Sequence, residues 1–340
     1  MLFPELPAAD VLRASLSSEI AMLNTHAYLV TFTAALVWLS LPADARADTY
    51  GNITVPGPTA GVTLDGRIYV PDPLPANPPA VIMMHGCSGM WYNDNPANGA
   101  SREIERWGRE LAAQGYVAIA VDSYEGRRPT SMTYLQYQNQ CYMGDPARVN
   151  PYTTRVADIG AALDYLIEEF DVDTGAIGLL GWSQGAQAVL VAMAATSRDS
   201  STPYTTDPPY AAAVAFYPGC GSALGFGYND HTDGWWRPAN PLRLNMGTED
   251  DFEDDCQARV TTAHDTYGTT PGSADELLWV QLPGAGHTFD EACYMQDCGP
   301  VFPTVECIQD EWDNVTMKNQ CAMREADIDS LDFLLARVVG

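Results

Sequence analysis

The run IGLLGWSQGAQAVL, Ile177 to Leu190, decides how this sequence is read. Its first half is apolar and ends in Gly181-Trp182-Ser183-Gln184-Gly185; its second half is made largely of small residues at helical spacing. The pattern G-x-S-x-G is a weak signal alone. A buried strand before it and a helix after it would place the serine on a tight turn, with the two glycines letting strand and helix approach closely. Both flanks meet that demand. Ser183 is the candidate nucleophile, weighed against the plainer reading of a polar residue between a strand and a helix.

Working outward, AVIMMHG, YVAIAVDSY, AAAVAFYPG, PLRLNMG and LLWVQLPG repeat the character of the first half: short, nearly continuous apolar runs, each closed by turn residues. Such runs suit strands buried on both faces. Upstream, NITVPG and VTLDGRIYVPD read as two edge strands, ended by the proline-rich PDPLPANPP, since proline cannot donate to a ladder. Helical stretches fall between, at Ser101 to Gln114, Thr153 to Phe170, Gln184 to Thr196, Glu253 to Tyr267 and Arg324 to Val339. In the second of them Leu163, Leu166, Ile167 and Phe170 form one apolar stripe. Alternating strand and helix predict an α/β fold, a mostly parallel sheet with helices on both faces, in one domain from residue 48 to 340. Three long connections, Glu125 to Pro151, Gly219 to Asn240 and Thr288 to Met323, leave strand C-terminal ends, where open parallel sheets place their sites.

The 340 residues carry 44 acidic against 17 basic side chains, a net charge of −27, and Lys318 is the single lysine. That balance argues against nucleic acid as a partner. Ala27 to Leu41 is an apolar segment, short for a membrane span, followed by Ala45-Arg46-Ala47; residues 1–47 read as an export leader whose removal leaves no membrane insertion. A buried N-terminal helix is the alternative. The acidity belongs to the chain beyond it. All eight cysteines also lie beyond the leader, and an even number in an exported chain reads as disulfides in a periplasmic or secreted protein. Metal binding is the weaker reading, because no Cys-x-x-Cys pair exists.

A serine hydroxyl is nearly inert at neutral pH without a base. Of the four histidines past the leader, His287 in LPGAGHTFD follows the last predicted strand and Ser183, which is the chain order of a hydrolase base. His85 stands at a strand end, His231 in a polar loop and His264 in a helical run. An orienting acid belongs between Ser183 and His287, just past a strand. LNMGTEDDFEDD offers Asp250 as the expectation, with Asp251 and Glu249 open as alternatives. An oxyanion needs two fixed donors. The backbone amide of Gln184 is one candidate and that of Cys87, in MMHGCSG, the other, unless HGCSG is only a tight turn.

Taken together, MHGCSG, GYVAIAVDSY, IGLLGWSQG, AFYPGCG, MGTEDD and PGAGHTFD, in that order from about Ala80 to Asp290, resemble the dienelactone hydrolase family of the α/β-hydrolase superfamily. The resemblance implies an eight-stranded sheet with its site at the strand C-termini, no cofactor, and cleavage of esters or lactones through an acyl-enzyme. Departures matter too. The lactone-cleaving members use a cysteine where this chain has Ser183, and a glutamate in the region of His85; serine members with a His-Gly-Cys turn look more like exported esterases. Arg127 stands one position off the arginine that holds a substrate carboxylate in the lactone enzymes, so it is a candidate pocket residue against the plainer reading of a surface ion pair. Trp182, Trp235 and Trp236 are candidate pocket walls, with loop packing as the alternative. Cys87 is expected to pair with Cys141 and Cys220 with Cys256, each pair tying a strand-end loop to a neighbour; the last four cysteines would pair among themselves.

The leading expectation is thus an exported serine carboxylic-ester hydrolase acting on small or aromatic esters or lactones. A cutinase-like polyester hydrolase is the alternative within the class. A non-catalytic binding protein on the same fold is the alternative outside it, disfavoured because nucleophile and base both stand in the sequence.

Overall fold

The computed structural model describes residues 49–144, 147–195, 209–221, 236–268, 276–291, 302–303 and 315–339; the apolar segment 27–41 and the expected cleavage point after Ala47 lie outside them. Eight strands, β1 (Thr49–Pro56), β2 (Thr63–Val70), β3 (Ala80–Met84), β4 (Val117–Val121), β5 (Ile177–Trp182), β6 (Ala212–Phe216), β7 (Leu242–Gly247) and β8 (Leu277–Leu282), form one sheet in the order β1-β2-β4-β3-β5-β6-β7-β8. β1 pairs antiparallel with β2 and β2 with β4, while the five remaining pairings are parallel. The chain steps from β3 to β4 and then returns past β3 to β5. That reversal opens a crevice between the C-terminal ends of β3 and β5, the place where open α/β sheets bind ligands.

Every residue of β3 to β7 is buried, which is why their sequences are nearly continuous apolar runs rather than alternating ones. β7 carries two polar residues, spaced by two and so on one face. Arg243 donates Nε to Asn245 Oδ1 (2.9 Å), and Asn245 donates to Ser330 Oγ (3.0 Å), so the buried polar atoms meet partners.

Among the described residues six α-helices accompany the strands: α1 (Arg102–Ala113), α2 (Tyr134–Gln138), α3 (Thr154–Phe170), α4 (Gln184–Ala192), α5 (Glu253–Tyr267) and α6 (Val315–Val338). α1 and α6 share one face of the sheet, where Arg106 Nε and Trp107 Nε1 both donate to Asp327, at 2.8 and 3.1 Å. α3 and α4 pack together elsewhere on it, α4 lying on β3, β5 and β6. In α3 the buried stripe is Ile159, Ala162, Leu163 and Leu166; Ile167 is 39% exposed, so the apolar face is rotated from the expected one. α2 was not expected inside the 125–151 connection, although Thr133 and Gln136 form a capping box that is visible in TYLQ. α6 begins nine residues before the expected Arg324. Lys318, Asn319 and Gln320 interrupt the apolar period there, and Asn319 Oδ1 is used instead to accept the Gly286 amide at 3.1 Å.

Candidate active site

Ser183 sits between β5 and α4 with φ 47° and ψ −115°, a conformation that L-residues avoid and that surrounding structure must impose. The two flanking glycines show how. A Cβ at Gly185 would lie 2.0 Å from the Met84 carbonyl oxygen, and one at Gly181 would lie 2.8 Å from backbone atoms of Gly185 and Ala186. Only hydrogen fits at either position, so the turn closes and lifts the Ser183 side chain over the sheet edge.

Three residues distant in sequence meet at this point. Ser183 Oγ lies 3.0 Å from His287 Nε2, and His287 Nδ1 lies 2.7 Å from Asp250 Oδ2. Because a carboxylate only accepts, Nδ1 carries the proton and Nε2 faces the hydroxyl with a lone pair. The Asp250 side chain is fully buried, whereas that of His287 is 31% exposed. Asp250 Oδ1 accepts the Phe252 amide at 2.9 Å, which leaves Oδ2 for the imidazole. Asp251 and Glu249, the open alternatives, are exposed.

The turns bearing Asp250 and His287 are zipped to each other. Glu249 N–H donates to the Ala285 carbonyl (2.9 Å), Thr248 N–H to Leu282 (3.1 Å) and Gly284 N–H to Thr248 Oγ1 (2.8 Å). A Cβ at Gly247 would meet the Ala285 oxygen at 2.2 Å, so the close approach depends on that glycine. The imidazole is flanked by the rings of Tyr217 and Phe252, with centroids 4.9 and 5.4 Å away.

The loop after β3 lies against the elbow, for a Cβ on Gly86 would be 3.7 Å from Ser183 Cβ. Within it, Cys87 is disulfide-bonded to Cys141, and Gln140 N–H donates to the Cys87 carbonyl at 2.9 Å. Gln184 is the first residue of α4, so its amide has no acceptor within the helix. Among the described residues neither the Cys87 nor the Gln184 amide is spent on another group. Both are available beside Ser183. His85 is wholly buried; its Nδ1 donates to Gly86 O (2.7 Å) and its Nε2 accepts the Ser123 amide (3.3 Å). Burial first, then the nearby Arg155 charge, hold its pKa well below the usual histidine value, so it is a neutral structural ring.

Other expected residues stand elsewhere. Trp182 is buried, stacked on Phe216, and donates Nε1 to Asp290 Oδ2 at 2.6 Å. Trp236 is buried too, and its Nε1 donates to the Leu190 carbonyl (2.9 Å) in the last turn of α4. Arg127 donates to Ser123 O and, with two nitrogens, to the buried Asp158 carboxylate, an ion pair more enclosed than the surface one foreseen as its alternative. Trp235 lies outside the described residues. The second expected disulfide, Cys220–Cys256, is present; Cys321 is disulfide-bonded as well, and Cys293, Cys298 and Cys307 lie outside the described residues.

Two further groups were missed in the sequence. Asp290, three residues past His287, accepts from Trp182 and Tyr217 Oη and lies 3.7 Å from Arg106, so it ties the loop that carries His287 to the elbow and to α1. Its place beside the histidine in GHTFD was the available signal. Arg155 is wholly buried beneath the crevice, and an arginine inside a helix otherwise rich in apolar residues was its signal. A separate cavity of about 460 Å³ at the β1–β2 edge includes Tyr50, Arg67 and Arg109 in its lining. β4 and β3 stand between it and β5, and Arg67 and Arg109 are engaged with Glu105.

The fold has counterparts among known proteins. Among solved structures, the chain is similar to one from Klebsiella pneumoniae that carries the dienelactone hydrolase name, at 15% identity and TM-score 0.54, covering 85% of this chain and 99% of that one. It is similar to the dienelactone hydrolase-like promiscuous phosphotriesterase P91 from metagenomic libraries, at 16% identity and TM-score 0.52 over 85% and 98% of the two chains. An S-formylglutathione hydrolase from Agrobacterium tumefaciens matches at 14% identity and TM-score 0.51 over 86% and 96%. At these identities the likeness establishes the α/β-hydrolase fold. No protein with a curated description matches. The sequence pattern of the dienelactone hydrolase family, however, matches residues 64–293, more than half of the chain and a span that holds Cys87, Ser183, Asp250 and His287, so this hydrolase belongs to the dienelactone hydrolase family.

Proposed function

We propose that the protein is a serine hydrolase of carboxylic esters, working through an acyl-enzyme on small or aromatic esters or lactones. The observation that carries the reading is the pair of contacts at 3.0 and 2.7 Å joining Ser183, His287 and Asp250 on a strained turn. In the proposed reaction His287 Nε2 takes the Ser183 proton as Oγ attacks the ester carbonyl. The negative charge gathers on the carbonyl oxygen and is held by the Cys87 and Gln184 amides. Collapse expels the alcohol, which receives the proton from Nε2. Water then repeats the sequence on the acyl group, releasing the acid and restoring Ser183. Asp250 holds the tautomer and steadies the imidazolium without itself taking the proton.

The Cys87–Cys141 and Cys220–Cys256 disulfides support an oxidising compartment, and we propose that the protein works in the periplasm or outside the cell, after removal of residues 1–47. The fold is shared with a protein named as a phosphotriesterase and with prolyl endopeptidases, so the test offers all three bond types. Purified protein is assayed on p-nitrophenyl esters of rising chain length, lactones, an aryl phosphotriester and a proline-containing peptide anilide, alongside labelling by a fluorophosphonate. Ester turnover, with the label on the Ser183 peptide and both lost in Ser183→Ala, is expected. Intact esters and an unlabelled Ser183 in folded protein would overturn the reading. Clearing of a polyester film would identify a polymer-active enzyme within it.

A further inference from the structure

A buried arginine joins the two segments that present the oxyanion amides. Arg155, the second residue of α3, is wholly buried, and its hydrogen bonds go to neutral groups. Nη2 donates to the His85 carbonyl at 2.5 Å, Nη1 to Gln184 Oε1 at 3.2 Å and Tyr124 Oη at 3.4 Å, and Nε to Ser123 Oγ at 3.3 Å. The nearby carboxylate of Asp158 is occupied by the two-nitrogen contact from Arg127. One side chain therefore bridges the loop after β3, the loop after β4 and the elbow after β5.

Tyr124 extends the bridge. Its hydroxyl lies 2.7 Å from Gln184 Oε1 and 3.2 Å from the Gly86 carbonyl oxygen, and the guanidinium carbon of Arg155 sits 5.4 Å from its ring centre. The Gly86 carbonyl belongs to the same planar peptide as the Cys87 N–H, and in a trans peptide the two point in opposite directions. Fixing the carbonyl on one side fixes the aim of the N–H on the other. The His85 ring holds that same oxygen at 2.7 Å.

We propose that Arg155 is a positioning residue that sets the spacing and aim of the Cys87 and Gln184 amides, through the His85 carbonyl, Tyr124 and the Gln184 side chain. The inference rests on Ser183 being the nucleophile. The contribution belongs to the transition state, since an ester carbonyl carries little charge before attack.

The test uses Arg155→Gln, Arg155→Lys, Tyr124→Phe and Gln184→Leu in the full-length protein, on a p-nitrophenyl ester that the wild type cleaves. Arg155→Gln is expected to lower kcat by roughly 10²- to 10³-fold, the loss seen on removing one oxyanion donor, with KM within about threefold. Arg155→Lys should recover part of the loss. Tyr124→Phe and Gln184→Leu should each cost roughly tenfold in kcat at unchanged KM, and they carry the test if Arg155→Gln fails to fold by circular dichroism. A trifluoromethyl ketone, which becomes an oxyanion when Ser183 adds to it, should weaken in step with kcat/KM across the series, while an uncleaved amide analogue binds as before. A merely structural role would weaken both ligands alike. Folded variants within threefold of wild-type kcat, or equal weakening of both ligands, would overturn the proposal while leaving Ser183 labelling intact. A wild type that is neither active nor labelled would overturn it together with the reading on which it rests.

Discussion

Replacing Asp250 by asparagine tests the site most directly, because the structure dictates which way the amide must face. Asp250 Oδ1 accepts the part-buried Phe252 backbone N–H at 2.9 Å, a donor that only the oxygen of an asparagine side chain can meet. The asparagine oxygen is therefore held toward Phe252 and its NH₂ is turned to His287 Nδ1, where the carboxylate oxygen now lies 2.7 Å away. A donor there forces Nδ1 to accept, so the proton moves to Nε2 and points at Ser183. The base is then already protonated at the atom that must take the serine proton. Loss on the order of 10⁴ in kcat follows for this wrong-tautomer defect, about 5.4 kcal/mol of barrier, with little change in KM. Asp251→Asn and Glu249→Gln, on exposed side chains, should stay within about threefold of wild type. Steady-state kinetics on one p-nitrophenyl ester, with melting curves to confirm that each variant folds, provide the comparison. An Asp250→Asn enzyme within tenfold of wild type, or one matched by either neighbour, would refute the assignment of the acid.

Gly185→Ala should destabilise the protein by about 3 kcal/mol in urea and abolish activity, since its Cβ would stand 2.0 Å from Met84 O and 2.5 Å from His85 O, both backbone atoms. Unchanged stability would show that the elbow is looser than described. Cys141→Ser opens a link spanning 54 residues, for which chain entropy allows up to about 4 kcal/mol, and frees the Cys87 loop; a lower melting temperature and a lower kcat are both expected. Stability should fall as pH rises from 6.5 to 7.5. Burial, then repulsion from Asp290, pushes the Glu103 carboxyl up to about 7 from an ordinary 4.5, so the folded state binds the extra proton and loses that advantage as pH passes about 7. Asp122 and Asp327, raised to about 6 by burial, act in the same direction at lower pH, and His85, held low, acts against them only below 6.5. Glu103→Gln should flatten the dependence of melting temperature on pH, and an unaltered slope would remove Glu103 as its source.

Most of the sheet was legible because β3 to β7 are covered on both faces, and burial on both faces leaves the sequence little choice but an apolar run. Helix ends were less legible. α6 carries Lys318, Asn319 and Gln320 in its first turns, and nothing local reveals that Asn319 is needed by Gly286, 33 residues earlier. The rotated face of α3 has a similar cause. Spacing marks a stripe of apolar residues, but contact with α4 and the sheet decides that Ile159 and Ala162 face inward while Ile167 does not.

Within the site, motif residues were visible and their supports were not, for a physical reason. The elbow demands glycine at fixed positions, and chain order confines the base and acid, so those constraints are written locally. Arg155 and Asp290 are defined by what they reach across the fold: His85 lies 70 residues from the first, and Trp182 lies 108 from the second. Trp182 is the instructive case, because the sequence did contain the answer. It ends β5, every residue of which is buried, immediately before Ser183. A tryptophan buried at that strand end needs an acceptor for its indole N–H. Asp290 supplies one, from the loop that carries His287. The aromatic ring beside the nucleophile thus joins the base-bearing loop from underneath, and Trp182→Phe should slow ester turnover through the placement of His287, with chain-length preference unchanged. A shift in that preference would return the ring to the pocket wall.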